Sequence, residues 1–189
     1  MKKSVLVLIL GIGLICFGAW QNQMGKAKDT SGRKLASGTG TVLPTETGPQ
    51  VGKLAPSFSL TSTNGAAYQV GGKQNKPIFI NFWASWCDPC QAEAPDLVKL
   101  YAKYKDRMEM LSVNVTSYDS EDKAKAFVKE YSLVNPVLLD EKGDVFKLYN
   151  GIAFPTNVLV DKNGVIRELF IGLRPPKDLE QAIEKLIGE

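Results

Sequence analysis

A chain of 189 residues, 44% of them apolar, has room for one domain with its own core and for some additional segment. The net charge of +3 is small, and its basic residues are scattered among acidic ones, so nucleic-acid binding finds no footprint. There is no histidine, which excludes Ser-His-Asp and Cys-His nucleophiles, Cys2His2 zinc, histidine-bearing copper sites and haem held through histidine.

The chain opens with "MKKSVLVLILGIGLICFGAW". Lys2 and Lys3 precede an uncharged run from Ser4 to Trp20 that, as a helix, is roughly 25 Å long, the short end of a membrane span. The lysines predict a cytoplasmic N-terminus and an uncleaved single-pass anchor over residues 1–20, with Trp20 at the far interface. A cleaved signal peptide competes with this reading, but no A-x-A site precedes Gln21. Cys16 reads as a small apolar helix residue, because bulky Ile15 does not suit a lipoprotein cysteine. Either way the body of the protein is expected outside the cytoplasm, where disulfides persist. Residues 21–50 lack apolar periodicity and are rich in Gly, Thr, Ser and Lys, the composition of a flexible linker with a reach of about 30 Å.

From Val51 onward, strand and helix patterns alternate. "SFSLTSTNGAAYQV" predicts a hairpin turning at Asn64-Gly65. "PIFINFWA" (77–84) is a continuous apolar run, as expected of a strand buried on both faces. Residues 89–105 follow helical spacing, with Pro95 expected to kink them. "MEMLSVNV" (108–115) predicts a strand, and Ser120 caps a helix reaching about Tyr131. "PVLLD" (136–140) is a short strand with a helical turn or two behind it. "PTNVLVDKNGVIRELFIG" is a hairpin, and "PPKDLEQAIEKLIGE" an amphipathic helix. Together these elements predict an α/β fold, a three-layer α/β/α sandwich over residues 51–189, with an N-terminal β-hairpin and a central strand-helix insertion.

Cys87 and Cys90 stand in "NFWASWCDPC", where the buried strand gives way to the helix. Pro89 suits a first helical turn, and the unpaired N–H groups there stabilise a thiolate on Cys87. Cys90, one turn on, is expected deeper: an accessible attacking sulfur with a shielded resolving one, as thiol exchange requires. Zinc needs four ligands, and no second Cys pair or His exists beyond residue 20, so no metal is expected. A structural staple across so short a loop gains little chain entropy. A binding module that had lost its chemistry would usually lack one of the two cysteines.

"WCDPC", preceded by "FINFWAS" and followed by a helix, resembles the active site of the thioredoxin superfamily. The N-terminal anchor, the hairpin before the first core strand and the insertion at 136–149 narrow the resemblance to membrane-anchored, extracytoplasmic TlpA/ResA-like thiol-disulfide oxidoreductases of bacteria. In "AFPT", Pro155 matches the proline which that family holds in the cis form beside the sulfurs. The resemblance implies that the backbone of Phe154 pairs with an incoming substrate strand. Glu93 matches an acidic residue of ResA-like proteins near the dithiol, with a relay role for protons, but reads equally as a solvated helix residue. Asp88, between the cysteines, disfavours negative sulfur and so argues for a reductant. Trp86 is expected on the substrate-facing surface, Trp83 on either surface or core, and Asn81 in a structural role.

The expected activity is reduction of disulfides in exported proteins, without a cofactor. The resemblance implies apocytochrome c as leading client, in cytochrome c maturation, and a membrane electron donor of the CcdA/DsbD type. Another exported client, such as a spore or cell-wall protein, is the alternative. A disulfide-forming oxidase and a holdase using the same surface stand behind it.

Overall fold

The computed structural model describes residues 44–188. The expected anchor, and the linker as far as residue 43, lie outside that range. No helix among the described residues is long and apolar enough to cross a membrane. Paired backbone begins before Val51: Leu54 donates to the Glu46 carbonyl at 2.9 Å and Gly48 donates to that of Leu54 at 3.0 Å.

The strands are β1 (Phe58–Thr61), β2 (Ala67–Val70), β3 (Ile78–Trp83), β4 (Glu109–Asn114), β5 (Val137–Leu139), β6 (Thr156–Val160) and β7 (Ile166–Ile171). The helices are α1 (Asp88–Tyr104), α2 (Glu121–Tyr131), α3 (Asp144–Leu148) and α4 (Pro176–Gly188), with a 3₁₀ turn at Thr116–Tyr118. β1 and β2 form the predicted hairpin. The other five make one sheet in the order β5-β4-β3-β6-β7, with β3, β4 and β5 parallel and β6 and β7 antiparallel.

Strand β3, buried along its whole length and apolar but for Asn81, occupies the centre because only a central strand is covered on both faces. Its period-two alternation sends Ile78, Ile80 and Phe82 one way and Phe79 and Trp83 the other. On the first face, the hairpin and α3 cover the sheet, with Phe58, Val70, Phe146 and Tyr149 packed on the strands. Phe82 lies 5.6 Å from the Phe146 ring and 5.4 Å from that of Tyr149, and burying it fully contributes roughly 2–3 kcal/mol. On the second face, Leu97 and Leu100 of α1 meet Leu179 and Ile183 of α4, while Ala124 and Phe127 of α2 close over Trp83. The outer layers therefore differ, three helices on one side and a hairpin with a single short helix on the other.

Local signals act as read. Ser120 Oγ accepts the Lys123 N–H and caps α2. The turn between β6 and β7 is held by Asp161, whose Oδ1 accepts the N–H groups of Asn163 and Val165. Gly164 has a φ of +83° there, and an added Cβ would run into the Gly72 carbonyl, so glycine is required twice over. α1 continues through Pro95 to Tyr104.

Candidate active site

Cys87 ends the turn from β3 and is the N-cap of α1, with φ −84° and ψ 106°. Its sulfur accepts the N–H of Cys90 at 3.2 Å, satisfying one of the free donors at the helix start, and Pro89 occupies the first turn. The two cysteines are joined as a disulfide, with Cα atoms 5.2 Å apart.

The expected contrast in exposure is not found: joined as the disulfide, each cysteine is 4% exposed. What differs is what they face. Cys87 lines a surface groove of about 700 Å³ together with Trp86, Asp88, Pro89, Tyr118 and Phe154. Cys90 lines a small internal cavity with Asn81, Trp83 and Ser112.

The groove has an aromatic wall. Trp86, half exposed, donates its indole N–H to the Tyr118 carbonyl at 2.7 Å and meets the Phe154 ring edge-on at 5.8 Å. Phe154 stacks on Phe146 at 4.7 Å, and Tyr118 lies edge-on to both. A Cβ on Gly151 would collide with the Phe146 ring, so glycine is what admits this packing. The Phe154-Pro155 peptide is cis, as the resemblance implied. Among the described residues no hydrogen bond engages the N–H or C=O of Phe154.

A clamp fixes the cysteine loop. Asp119 accepts the Ser85 N–H at 2.6 Å, the Ser85 hydroxyl at 2.7 Å and the Asn114 amide at 2.8 Å. Burial pushes the Asp119 carboxyl up, but these donors outweigh it and hold the group below its ordinary value. Gln91 Nε2 donates to the Ser85 carbonyl from the helix side.

Glu93 resolves its two readings: it is buried, 5% exposed, and not a solvated helix residue. Its Oε2 accepts from Asn81 Nδ2 at 2.9 Å and its Oε1 from Asn157 Nδ2 at 3.0 Å. Asn81 also donates to Asn157 Oδ1 at 2.8 Å. Burial raises the Glu93 pKa to about 7 against the two amide donors, with a smaller push from Asp96. The carboxyl thus sits one turn beyond Cys90 with its proton balanced near neutrality. Trp83 proves to be core, 2% exposed and 4.4 Å from the Phe127 ring.

Trp86, Cys87, Asp88, Pro89 and Phe154 therefore surround one groove, while Cys90 and Glu93 lie behind it. Sequence reading missed Tyr118, Phe146, Ser85, Asp119, Asn157 and Ser112. For Asn157 there was a signal, an amide inside the apolar strand "TNVLV", as Asn81 stands inside "IFINFW".

Residues 50–186 match the family model described as Redoxin. A thioredoxin-like protein, YneN, of Bacillus subtilis is 37% identical over 140 residues, which cover 74% of this chain and 82% of that protein. The thiol-disulfide oxidoreductase ResA of Bacillus thuringiensis is 35% identical over 138 residues, 72% of this chain and 79% of that one. The pneumococcal exposed lipoprotein thioredoxin Etrx1 from Streptococcus pneumoniae superposes with a TM-score of 0.62 at 27% identity, covering 69% of this chain and all of that one. With a dithiol at the mouth of a helix and these similarities, the chain belongs to the redoxin family of the thioredoxin superfamily and is a ResA-like thiol-disulfide oxidoreductase.

Proposed function

We propose that the protein works as a reductant of disulfides in exported proteins, on the extracytoplasmic side of a membrane to which residues 1–20 anchor it. The observation that carries the direction is the pair of carboxyls flanking the dithiol, Asp88 on the groove and Glu93 buried one turn beyond Cys90. Neither favours negative sulfur, and a couple whose thiolates are disfavoured holds its electrons less tightly.

In the reaction, the Cys87 thiolate attacks a client disulfide lying in the groove. One client sulfur bonds to Cys87 and the other leaves as a thiolate. Cys90, deprotonated, then attacks the Cys87 sulfur; the bond to the client breaks, the Cys87–Cys90 disulfide forms, and the client is released with both sulfurs reduced. Glu93 holds or accepts the proton that Cys90 must lose. The unengaged backbone of Phe154 offers an edge to an extended client segment. Apocytochrome c is the leading client, another exported protein the alternative, and a membrane donor of the CcdA/DsbD type returns the dithiol to its reduced form.

Trapping on a Cys90→Ala variant tests this. The variant should accumulate mixed disulfides through Cys87 with its clients, and apocytochrome c should be among them. Recovery of no mixed disulfide, or trapping through Cys16, would overturn the assignment. The anchor is tested separately: the exported protein should begin at or near Met1 and stay in the membrane fraction, and an N-terminus near Gln21 would refute it.

A further inference from the structure

The resolving step poses a proton problem. Cys90 must be a thiolate to attack, at the moment when a client covers the groove that Cys87 lines. Cys90 does not line that groove. It faces an internal cavity of about 10 Å³, close to the smallest volume that admits one water, walled by Asn81, Trp83 and Ser112 with apolar side chains around the rest.

Two polar groups in that wall are under-used. Trp83 Nε1 is buried and has no hydrogen-bond partner. Ser112 Oγ accepts from Asn135 Nδ2 at 2.9 Å, yet among the described residues its own hydroxyl hydrogen finds no acceptor. Asn81, the third polar side chain, spends its amide hydrogens on Glu93 and Asn157. A buried indole N–H without an acceptor is costly, and phenylalanine could pack against Phe127 in its place without that cost. Among the residues lining the cavity, the one that gains a negative charge during the reaction is Cys90.

We propose that this cavity is a one-water site in which the Trp83 indole N–H and the Ser112 hydroxyl, directly or through the water, stabilise the Cys90 thiolate. The proposal rests on the reading of Cys90 as the resolving sulfur. Trp83 and Ser112 are positioning residues: they form no bond to the client, and they act on the ionisation that precedes attack. The Cys90 proton passes to a base, for which Glu93 is placed on the same helix; the thiolate then forms the bond to Cys87 as the client sulfur leaves with the electron pair of the broken bond. The two donors stabilise the thiolate without placing a cation in the core. The ionisable groups around Cys90 are Cys87, Asp88 and Glu93 on its own helix, and Tyr131 of α2, which packs on the same cluster. β3 and β4 bring only Asn81, Trp83 and Ser112 to the cavity.

The test uses the full chain in a Cys87→Ala background, so that Cys90 titrates alone. Alkylation of Cys90 is followed against pH by peptide mass spectrometry, which separates it from Cys16. Trp83→Phe keeps the ring and removes the donor; Ser112→Ala removes the other. Far-ultraviolet circular dichroism confirms that each variant is folded, and Ser112→Ala carries the test should Trp83→Phe unfold. A rise of about one pH unit in the alkylation midpoint, tenfold less thiolate at a given pH, in either variant supports the site. Unchanged or lowered midpoints in the folded variants overturn it. Because this readout needs no client, it can fail while disulfide reduction stands, and stand while the client assignment fails.

Discussion

The two faces of the central sheet are built from the same strands on opposite principles. On one, Ile78, Ile80 and Phe82 of β3 pack with Leu111, Val113 and Val158 in a predominantly apolar cluster. On the other, Phe79 and Trp83 alternate with Asn81, and its neighbours across the sheet are Ser112 and Asn157, all three polar and all buried. The first face supplies stability and, through Phe146, backs the aromatic wall of the groove. The second gives up apolar area to hold a carboxyl and two sulfurs, and it is the face on which the dithiol helix lies. A buried polar strip survives only where each group has a partner, and the amides of Asn81 and Asn157 are those partners for Glu93.

Four measurements can break or sharpen this contrast. Phe82→Ala on the apolar face should cost about 3–5 kcal/mol of stability in urea denaturation, with the redox potential of the remaining folded protein unchanged. A shifted potential would mean that the faces are not independent. Glu93→Gln should act through pH. The folded protein keeps the Glu93 proton up to about pH 7, whereas the unfolded chain releases it near 4.5, so the folded state binds more protons in that window. Wild-type stability should therefore fall as pH rises through the window, by up to roughly 3 kcal/mol, and the glutamine variant should lose that slope. Parallel stability curves for the two proteins would exclude a buried ionising Glu93.

The next effect is smaller. Asn157→Ala removes one donor from the carboxylate and should cost about 2 kcal/mol at pH 8, less at pH 5, where the carboxyl is protonated. Equal losses at both pH values would make Asn157 a packing residue. The smallest effect belongs to the groove: Asp88→His should move the couple toward oxidising by about 30 mV, roughly 1.4 kcal/mol for two electrons. Titration against glutathione reads it, and a more reducing variant would refute the electrostatic argument.

This contrast also marks how far the sequence could be read. β3, β4 and the two hairpins were legible because apolar runs and Asn-Gly turns are local signals, and the cysteine pair because its spacing and its place at a strand-helix junction coincide. The burial of Glu93 was not legible. It depends on Asn81 and Asn157, 12 and 64 residues away, and a glutamate on a helix looks the same from its neighbours whether it faces water or the sheet. Tyr118 stayed hidden for a similar reason: it sits in a short 3₁₀ turn without periodicity, and only the fold brings it against Trp86. The equal 4% exposure of Cys87 and Cys90 was not legible, because residue spacing does not encode how deeply each sulfur of a joined pair lies.

The clamp at Asp119 bears on how portable this centre is. Ser85, just ahead of "WCDPC", takes its position from a carboxylate in the β4–α2 connection, and the carboxylate is oriented in turn by Asn114 at the end of β4. The five-residue motif is thus half of a two-part module whose other half lies about thirty residues downstream. Grafting "WCDPC" alone onto another scaffold of this fold would transplant the sulfurs without the piece that sets their loop. A chimera carrying both segments should inherit the donor's chemistry where the motif graft inherits the host's.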